Sequence, residues 1–104
     1  MLFGDFMTIN DLRALCVDDS IMVTKHVADR LRERGIKYSH IKRTILEGEI
    51  IENYPKDYPY PSCLVSDGDI HVIAAVGSGK LWFITAYRPD PEKWENGNKI
   101  RKKA

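Results

Sequence analysis

Apolar residues recur every three or four positions in three segments of the N-terminal half, and this spacing predicts three amphipathic helices. Thr8, Thr24 and Ser39 stand where an N-cap side chain would accept a backbone N–H. Gly35 and Gly48 stand where the second and third helices should end. The predicted helices cover residues 8–16, 24–34 and 39–47.

The C-terminal half changes to short apolar and β-branched runs separated by glycine and proline, which predicts β-strands. The two clearest strands, residues 70–76 and 81–87, should form a hairpin around Gly77-Ser78-Gly79. Residues 55–61 contain three prolines and two tyrosines, so they predict a rigid loop outside the sheet. With shorter strands at 20–24, 49–54 and 62–66, the pattern indicates an α+β fold with N-terminal helices packed on an antiparallel β-sheet.

Length and composition are typical of one globular domain. The chain has 104 residues, of which 43% are hydrophobic and 30% charged. We assign residues 1–95 to a single domain and residues 96–104 to a mobile basic tail. No apolar run is long enough to cross a bilayer, and the first residues lack the basic start of a secretory signal. We therefore expect no membrane association and a cytoplasmic location.

The cysteines and histidines do not follow a metal-binding pattern. Cys16 and Cys63 have no neighbours at zinc-ligand spacing, and the three histidines do not supply that spacing. We expect two reduced, partly buried thiols and no metal site.

The net charge of +1 conceals a strong segregation of charge. Residues 25–43 carry seven Lys/Arg against two Asp/Glu, and residues 92–104 carry five against two. Residues 1–24 and 44–91 sum to −3 and −4. A polyanionic ligand is therefore permitted if the two basic regions share a surface, and an acidic protein partner is permitted equally.

The predicted second helix carries a cationic stripe. His26, Arg30 and Arg34 recur every four residues and therefore share one helix face. A titratable imidazole beside two guanidinium groups suits a phosphate-bearing ligand. His26 also falls in the first helical turn, where the helix dipole favours an anion. The alternative interpretation is an ordinary solvated basic face.

His71 interrupts an otherwise apolar strand. A three-residue hairpin loop would place it opposite Thr85, with Tyr87 on the same face. A two- or four-residue loop would place it opposite Ala86. The structural alternative is a hydrogen-bonded core histidine. We interpret His40, in the first turn of the third helix, as a surface residue.

These side chains supply the groups that metal-independent RNA cleavage requires. In that reaction the 2′-hydroxyl attacks the adjacent phosphorus, a base removes its proton, and an acid protonates the leaving 5′ oxygen. We expect His26 and His71 to act as base and acid, in either order. The candidate catalytic residues are His26, His71, Arg30 and Tyr87, and the candidate substrate-binding residues are Arg34 and Thr85.

A series of spaced motifs occurs in this order along the chain: Lys25–Leu31 with Arg34-Gly35-Ile36, then 50–55, then Ile70-His71-Val72, then 84–87 with 89–94. They resemble a family of small prokaryotic proteins classed as a domain of unknown function and grouped with the RelE- and BrnT-like toxins. The resemblance implies a RelE-like α+β fold, with helices on a twisted antiparallel sheet. It also implies an endoribonuclease toxin without a cofactor, with RNA as substrate and a cognate antitoxin as protein partner.

Two other functions fit the same residues. The chain could be a non-catalytic interaction module whose basic helix binds an acidic protein partner or nucleic acid. It could also be a small homodimer joined through an exposed sheet edge.

Overall fold

The computed structural model describes residues 7–103. The described residues form three α-helices, all in the first half of the chain, and two of them begin at the predicted caps. Thr8 accepts the backbone N–H of Asp11 at 3.2 Å, and the Asp11 carboxylate accepts the N–H of Thr8 at 2.9 Å. Thr24 accepts the N–H of Val27 at 3.2 Å. The cap predicted at Ser39 is wrong, because the third helix is preceded by Lys37 and lacks a side-chain cap. The helices are α1 (Ile9–Ala14), α2 (Lys25–Glu33) and α3 (Tyr38–Glu47).

Seven strands form two sheets in the described residues, which confirms the α+β class. The larger sheet has the order β1-β5-β4-β3-β2. Its neighbours β2 to β5 are antiparallel, as predicted, but β1 runs parallel to β5 and makes the sheet mixed. A strand of two residues shows too little alternation for its direction to be predicted. The strands are β1 (Ile21–Met22), β2 (Glu49–Tyr54), β3 (Ser62–Ser66), β4 (His71–Gly77), β5 (Lys80–Tyr87), β6 (Trp94–Glu95) and β7 (Ile100–Arg101).

The hydrophobic core lies between the helices and one face of the larger sheet. Val72 and Ala74 of β4 are fully buried in that core, together with Leu31 of α2 and Ile41 of α3. We call this the helix-side face. Because side chains alternate along a strand, His71 and its same-face neighbours project from the opposite side, which we call the open face.

Two β-bulges determine which polar side chains reach the open face. In β5, the extra residue Ile84 shifts the pairing with β4, so that His71 lies opposite Tyr87. In β2, the extra residue Ile51 turns Glu52 toward the open face, opposite Leu64. Both predicted registers for His71 were therefore wrong. The loop has two residues, but the bulge adds one position to the pairing beyond it.

The C-terminal segment folds back onto the open face. Strands β6 and β7 pair antiparallel and are joined by a turn in which Asn96, Gly97 and Asn98 all have positive φ. Residues 96–101, the first part of the predicted tail, form the turn and the second strand of this hairpin. The prediction of a tail rested on its basic residues and overlooked the sequence Asn96-Gly97-Asn98. Asn and Gly are the residue types that tolerate left-handed backbone, so this sequence is typical of a turn.

None of the helices described within residues 7–103 combines the length and apolar character needed to cross a membrane.

Candidate functional site

The open face carries a histidine–tyrosine pair of which the histidine is buried. His71 is fully buried, and its ring centroid lies 5.4 Å from that of Tyr87 on the neighbouring strand. The His71 Nδ1 and the Tyr87 hydroxyl are 3.4 Å apart, and Nε2 lies 2.6 Å from the carbonyl oxygen of Asn98. Trp94 meets the imidazole edge-on at 4.5 Å. Strand pairing places the histidine and tyrosine together, and the hairpin β6–β7 covers the histidine.

The hydrogen bonds assign the tautomer of His71. A carbonyl oxygen can only accept, so Nε2 carries the proton that is donated to Asn98. In the neutral ring Nδ1 is then the acceptor, and it faces the Tyr87 hydroxyl. Burial lowers the pKa of His71, although the bond to Asn98 opposes the shift. Burial likewise raises the pKa of Tyr87, so this phenol keeps its proton at neutral pH.

A second polar cluster lies beside this pair and joins the hairpin to the sheet. Arg101 of β7 donates to both oxygens of Glu52, at 2.7 and 3.1 Å, and its guanidinium stacks 4.5 Å from the Trp94 ring centroid. The Tyr54 hydroxyl also donates to Glu52. Burial opposes ionisation of Glu52, but the bonds from Arg101 and Tyr54 outweigh it and lower its pKa. Burial and the bond to Glu52 raise the pKa of Tyr54 to about 12.

Sequence reasoning did not identify this second cluster. Glu52 and Tyr54 stand two apart in a strand, and this spacing alone predicts that they share a face. Their contact with Arg101 depends on the bulge at Ile51 and on the fold-back of residues 96–101, which local patterning does not encode.

The two predicted substrate-binding residues contact each other. The Arg34 Nη1 donates to the Thr85 hydroxyl at 3.0 Å and to the Ala86 carbonyl oxygen at 2.8 Å. Arg88 donates back to the Arg34 carbonyl oxygen at 3.0 Å. Arg34 therefore ties the end of α2 to Thr85 and Ala86 of β5, the two residues that precede Tyr87.

The structure does not bring His26 and Arg30 to this site. Both are exposed on α2, whose Leu31 packs into the helix-side core. His71 projects from the open face, so the sheet lies between it and the helix layer that carries His26. The two-histidine arrangement is therefore not formed here, and the cationic stripe divides between the exposed His26 and Arg30 and the anchored Arg34.

His40 is not the surface residue that was predicted. Its side chain is 15% exposed, and its Nε2 lies 3.1 Å from a carboxylate oxygen of Asp67. Asp67 also accepts the Thr44 hydroxyl at 3.1 Å and the backbone N–H groups of Asp69 and Ile70. Burial disfavours the charged Asp67 carboxylate, but these bonds outweigh burial and lower its pKa. His40 thus ties α3 to the turn before β4.

Comparison with known proteins identifies the family. The family described as "Domain of unknown function (DUF4258)" matches residues 23–88, more than half of the chain. The chain belongs to this family. Searches of curated proteins and of solved structures found no match.

The family match divides the site residues into two groups. It runs from the residue before Thr24 to Arg88, and so includes the His71–Tyr87 pair and Glu52. The hairpin β6–β7, with Trp94 and Arg101, lies beyond the matched segment. The cover over His71 is therefore contributed by a part of this chain outside the family match.

Potential metal ligands are dispersed in the described part of the chain. Within residues 7–103, no three side chains among His, Cys, Asp and Glu come together in a way that could hold a metal ion. Cys16 and Cys63 are both buried and unpaired, and burial raises the pKa of the Cys63 thiol to about 12.

Proposed function

We propose that this protein is a metal-independent endoribonuclease, acting at the open face of its sheet as the toxin of a toxin–antitoxin pair. The observation that carries the proposal is the His71–Tyr87 pair, in which a phenol faces the accepting nitrogen of a neutral imidazole. The resemblance to the RelE- and BrnT-like toxins supports the toxin assignment and implies an antitoxin partner. The proposal of RNA cleavage does not rest on the resemblance, because proteins of one fold can have different activities.

Burial determines which member of the pair would meet RNA. His71 is fully buried, whereas Tyr87 is partly exposed. The Tyr87 hydroxyl would take the proton from the RNA 2′-hydroxyl while passing its own proton to His71 Nδ1. This relay uses the neutral imidazole that burial favours, and it leaves the hairpin closed.

The remaining steps balance without a cofactor. The 2′ oxygen forms a bond to the adjacent phosphorus, and the bond from phosphorus to the 5′ oxygen breaks. The departing 5′ oxygen takes a proton from water, and the hydroxide left behind accepts, through Tyr87, the proton held by His71 Nδ1. Both side chains are restored, and the products are a 2′,3′-cyclic phosphate and a 5′-hydroxyl. Arg101, whose side chain is 59% exposed, supplies positive charge near the developing phosphorane.

Product chemistry and paired variants test this proposal. Purified protein is incubated with single-stranded RNA in excess EDTA, and the new ends are analysed for 2′,3′-cyclic phosphate. Tyr87→Phe and His71→Gln should lose about 10²- to 10⁴-fold in rate, because each removes one member of the relay. Tyr38→Phe, an exposed tyrosine on the helix side, is the matched control and should cleave normally.

Two results would contradict the proposal. Cleavage that Tyr87→Phe leaves unchanged would exclude the relay, and absence of cleavage of free and ribosome-bound RNA would exclude the activity. His26→Ala provides a further discrimination. Loss of cleavage in that variant alone would place the chemistry on the helix surface instead.

A non-catalytic interaction module is the second candidate, and one observation favours it. Both ring nitrogens of His71 already have partners inside the protein, as a purely structural histidine would. In that case the exposed His26 and Arg30 of α2 would bind an acidic protein segment or nucleic acid. RNA binding with strong salt dependence but without cleavage would support this function.

A further inference from the structure

The open face holds a cleft next to the proposed catalytic pair. It has a volume of about 370 Å³ and lies between the proline-rich loop of residues 55–61 and strands β4 and β5. Tyr58, Tyr60 and Trp82 provide its aromatic walls, and Ile73 and Ala75 line it from β4. We call it the aromatic cleft. This volume falls in the lower part of the range of small-molecule sites, about 300–1,000 Å³.

The aromatic side chains of the cleft are held in position. The rings of Tyr60 and Trp82 lie 5.8 Å apart with an interplanar angle of 34°. The Tyr60 hydroxyl is 2.8 Å from the Ser78 hydroxyl, and the Trp82 Nε1 donates to the Gly77 carbonyl oxygen at 3.1 Å. Tyr60 lies against Gly77 so closely that a Cβ there would meet its ring at 2.1 Å. A ligand would therefore find these two walls already formed, with little ordering entropy to lose.

Tyr58 differs from the other two aromatic residues because it is 94% exposed. A tyrosine with so little contact contributes little to the fold, and prolines on the same loop restrict the backbone on either side. The ring is thus available to stack on a ligand that enters the cleft.

The polar lining favours a neutral ring with hydrogen-bond donors. Of the nine residues that line the cleft, all in the described part of the chain, one is acidic and none is basic. The acidic residue, Asp57, accepts the Ser62 hydroxyl at 2.5 Å and presents its carboxylate at the edge of the cleft. A phosphate would be repelled there. An exocyclic amino group or ring N–H of a base would instead find an acceptor.

The cleft lies one same-face strand position from the proposed catalytic pair. Ile73 lines it and stands two residues after His71 on the same face of β4, about 7 Å along the strand. Thr85 lies directly opposite Ile73, and Tyr87 opposite His71. If a nucleobase were held in the cleft, the sugar–phosphate backbone attached to it would lie along Ile73 and Thr85, in the direction of Tyr87.

We propose that the aromatic cleft is a nucleobase subsite that stacks an unpaired base of single-stranded RNA and directs the neighbouring phosphate toward Tyr87. The location of the phosphate rests on the function proposed above, whereas the stacking of a base does not. Stacking suits this site because every base presents a flat π-face, and aromatic platforms bind single strands in this way.

Binding and cleavage are measured separately. The binding probe is a fluorescein-labelled, single-stranded 2′-O-methyl oligonucleotide, which lacks the attacking hydroxyl and cannot be cleaved by this route. Full-length protein should bind it, by fluorescence anisotropy, more tightly than a strand of equal length and charge made of abasic units. Tyr58→Leu and Trp82→Leu should each weaken binding of the base-bearing strand by about 5- to 150-fold. They should leave binding of the abasic strand unchanged.

Tyr38→Leu is the matched control, because Tyr38 is an aromatic residue exposed on the helix side. Circular dichroism verifies that Trp82→Leu is folded. Tyr58→Leu should fold normally, because the Tyr58 side chain is exposed. Equal binding of the two strands, or binding insensitive to both cleft variants, would overturn the subsite. Cleavage of 2′-hydroxyl RNA that persists in Tyr58→Leu would then leave the proposed function standing. Base-dependent binding without cleavage would leave the subsite standing alone.

Discussion

His71 is buried with a partner for each ring nitrogen, and that burial sets its acid–base behaviour. Removal from water penalises the imidazolium and lowers its pKa below the ordinary value of 6.5, although the Asn98 carbonyl oxygen and the charges of Glu52 and Asp67 oppose the shift. The positive charge of Arg101 acts in the same direction as burial. The folded state therefore favours the neutral ring that the proposed relay requires.

The lowered pKa of His71 makes the stability of the protein depend on pH. Because the folded pKa of His71 is lowered, the unfolded chain binds more protons between the folded pKa and about 6.5. The contribution of His71 to stability should be complete above about pH 6.5 and should decrease as the pH falls through that window. Urea midpoints measured from pH 7.5 to pH 5 should fall in wild type. The slope should be smaller in His71→Gln.

His26→Gln serves as the control for that experiment, because His26 is exposed on α2. It should keep the wild-type slope. An NMR titration of the His71 ring that gave a pKa at or above 6.5 would refute the burial argument directly.

Single residues also decided how far the site could be predicted from sequence. His71, Tyr87 and Thr85 were predicted as site residues, and the open face does place them on adjacent strands. The direct pairing of His71 with Tyr87 was not predicted, because it needs the extra residue Ile84 in β5. A bulge costs little locally and leaves no clear mark in an apolar strand, so register beyond it cannot be read from alternation alone.

At the scale of elements, the hairpin β6–β7 is held by a few specific contacts rather than by a broad core. Trp94 is buried against His71, and Arg101 bridges Glu52 and the Trp94 ring. Each strand has two residues, so pairing alone would not hold the hairpin. Sequence patterning could not predict the Arg101–Glu52 ion pair, since it joins residues 49 positions apart.

Arg101→Gln should therefore loosen the hairpin while leaving the rest of the domain folded. The variant loses a partly exposed ion pair and a cation–π contact, each worth about 0.5–1 kcal/mol. Amide hydrogen exchange should accelerate in residues 94–101, and His71 should become reactive toward diethyl pyrocarbonate.

Lys103→Gln removes the same charge from a nearby exposed position and should change neither measurement. Unchanged exchange in Arg101→Gln would mean that the remaining contacts of the hairpin, including those of Trp94 and Asn98, hold it without Arg101.

For the whole molecule, the decisive feature is the difference between the two faces of the larger sheet. Helix periodicity predicted the three helices, and alternation with glycine and proline predicted the main antiparallel strands. Those elements were sufficient to place the core between helices and sheet. The parallel β1 and the hairpin on the open face depend on distant contacts, so the covering of the second face could not be predicted.

This asymmetry predicts that neighbouring residues of β5 contribute unequally to stability. Phe83 is 2% exposed in the helix-side core, whereas Ile84 is 46% exposed at the bulge beside the aromatic cleft. Phe83→Ala should lower the free energy of unfolding by about 3–5 kcal/mol, through lost burial and the cavity that remains. That is a large part of the roughly 5–15 kcal/mol that stabilises a typical domain. Ile84→Ala should cost less than about 1 kcal/mol, and urea unfolding measures both.

Measuring the unfolding of Ile84→Ala and Phe83→Ala at several protein concentrations also tests whether the open face is covered by another part of the protein or by a second copy. If Ile84→Ala proved as costly as Phe83→Ala at every concentration, the open face would be part of the monomer's core and unavailable to RNA. If its cost appeared only at high concentration, a second copy of the chain would be covering the face. A small cost that does not depend on concentration is the result expected if the part of the open face around Ile84 is left uncovered for a ligand.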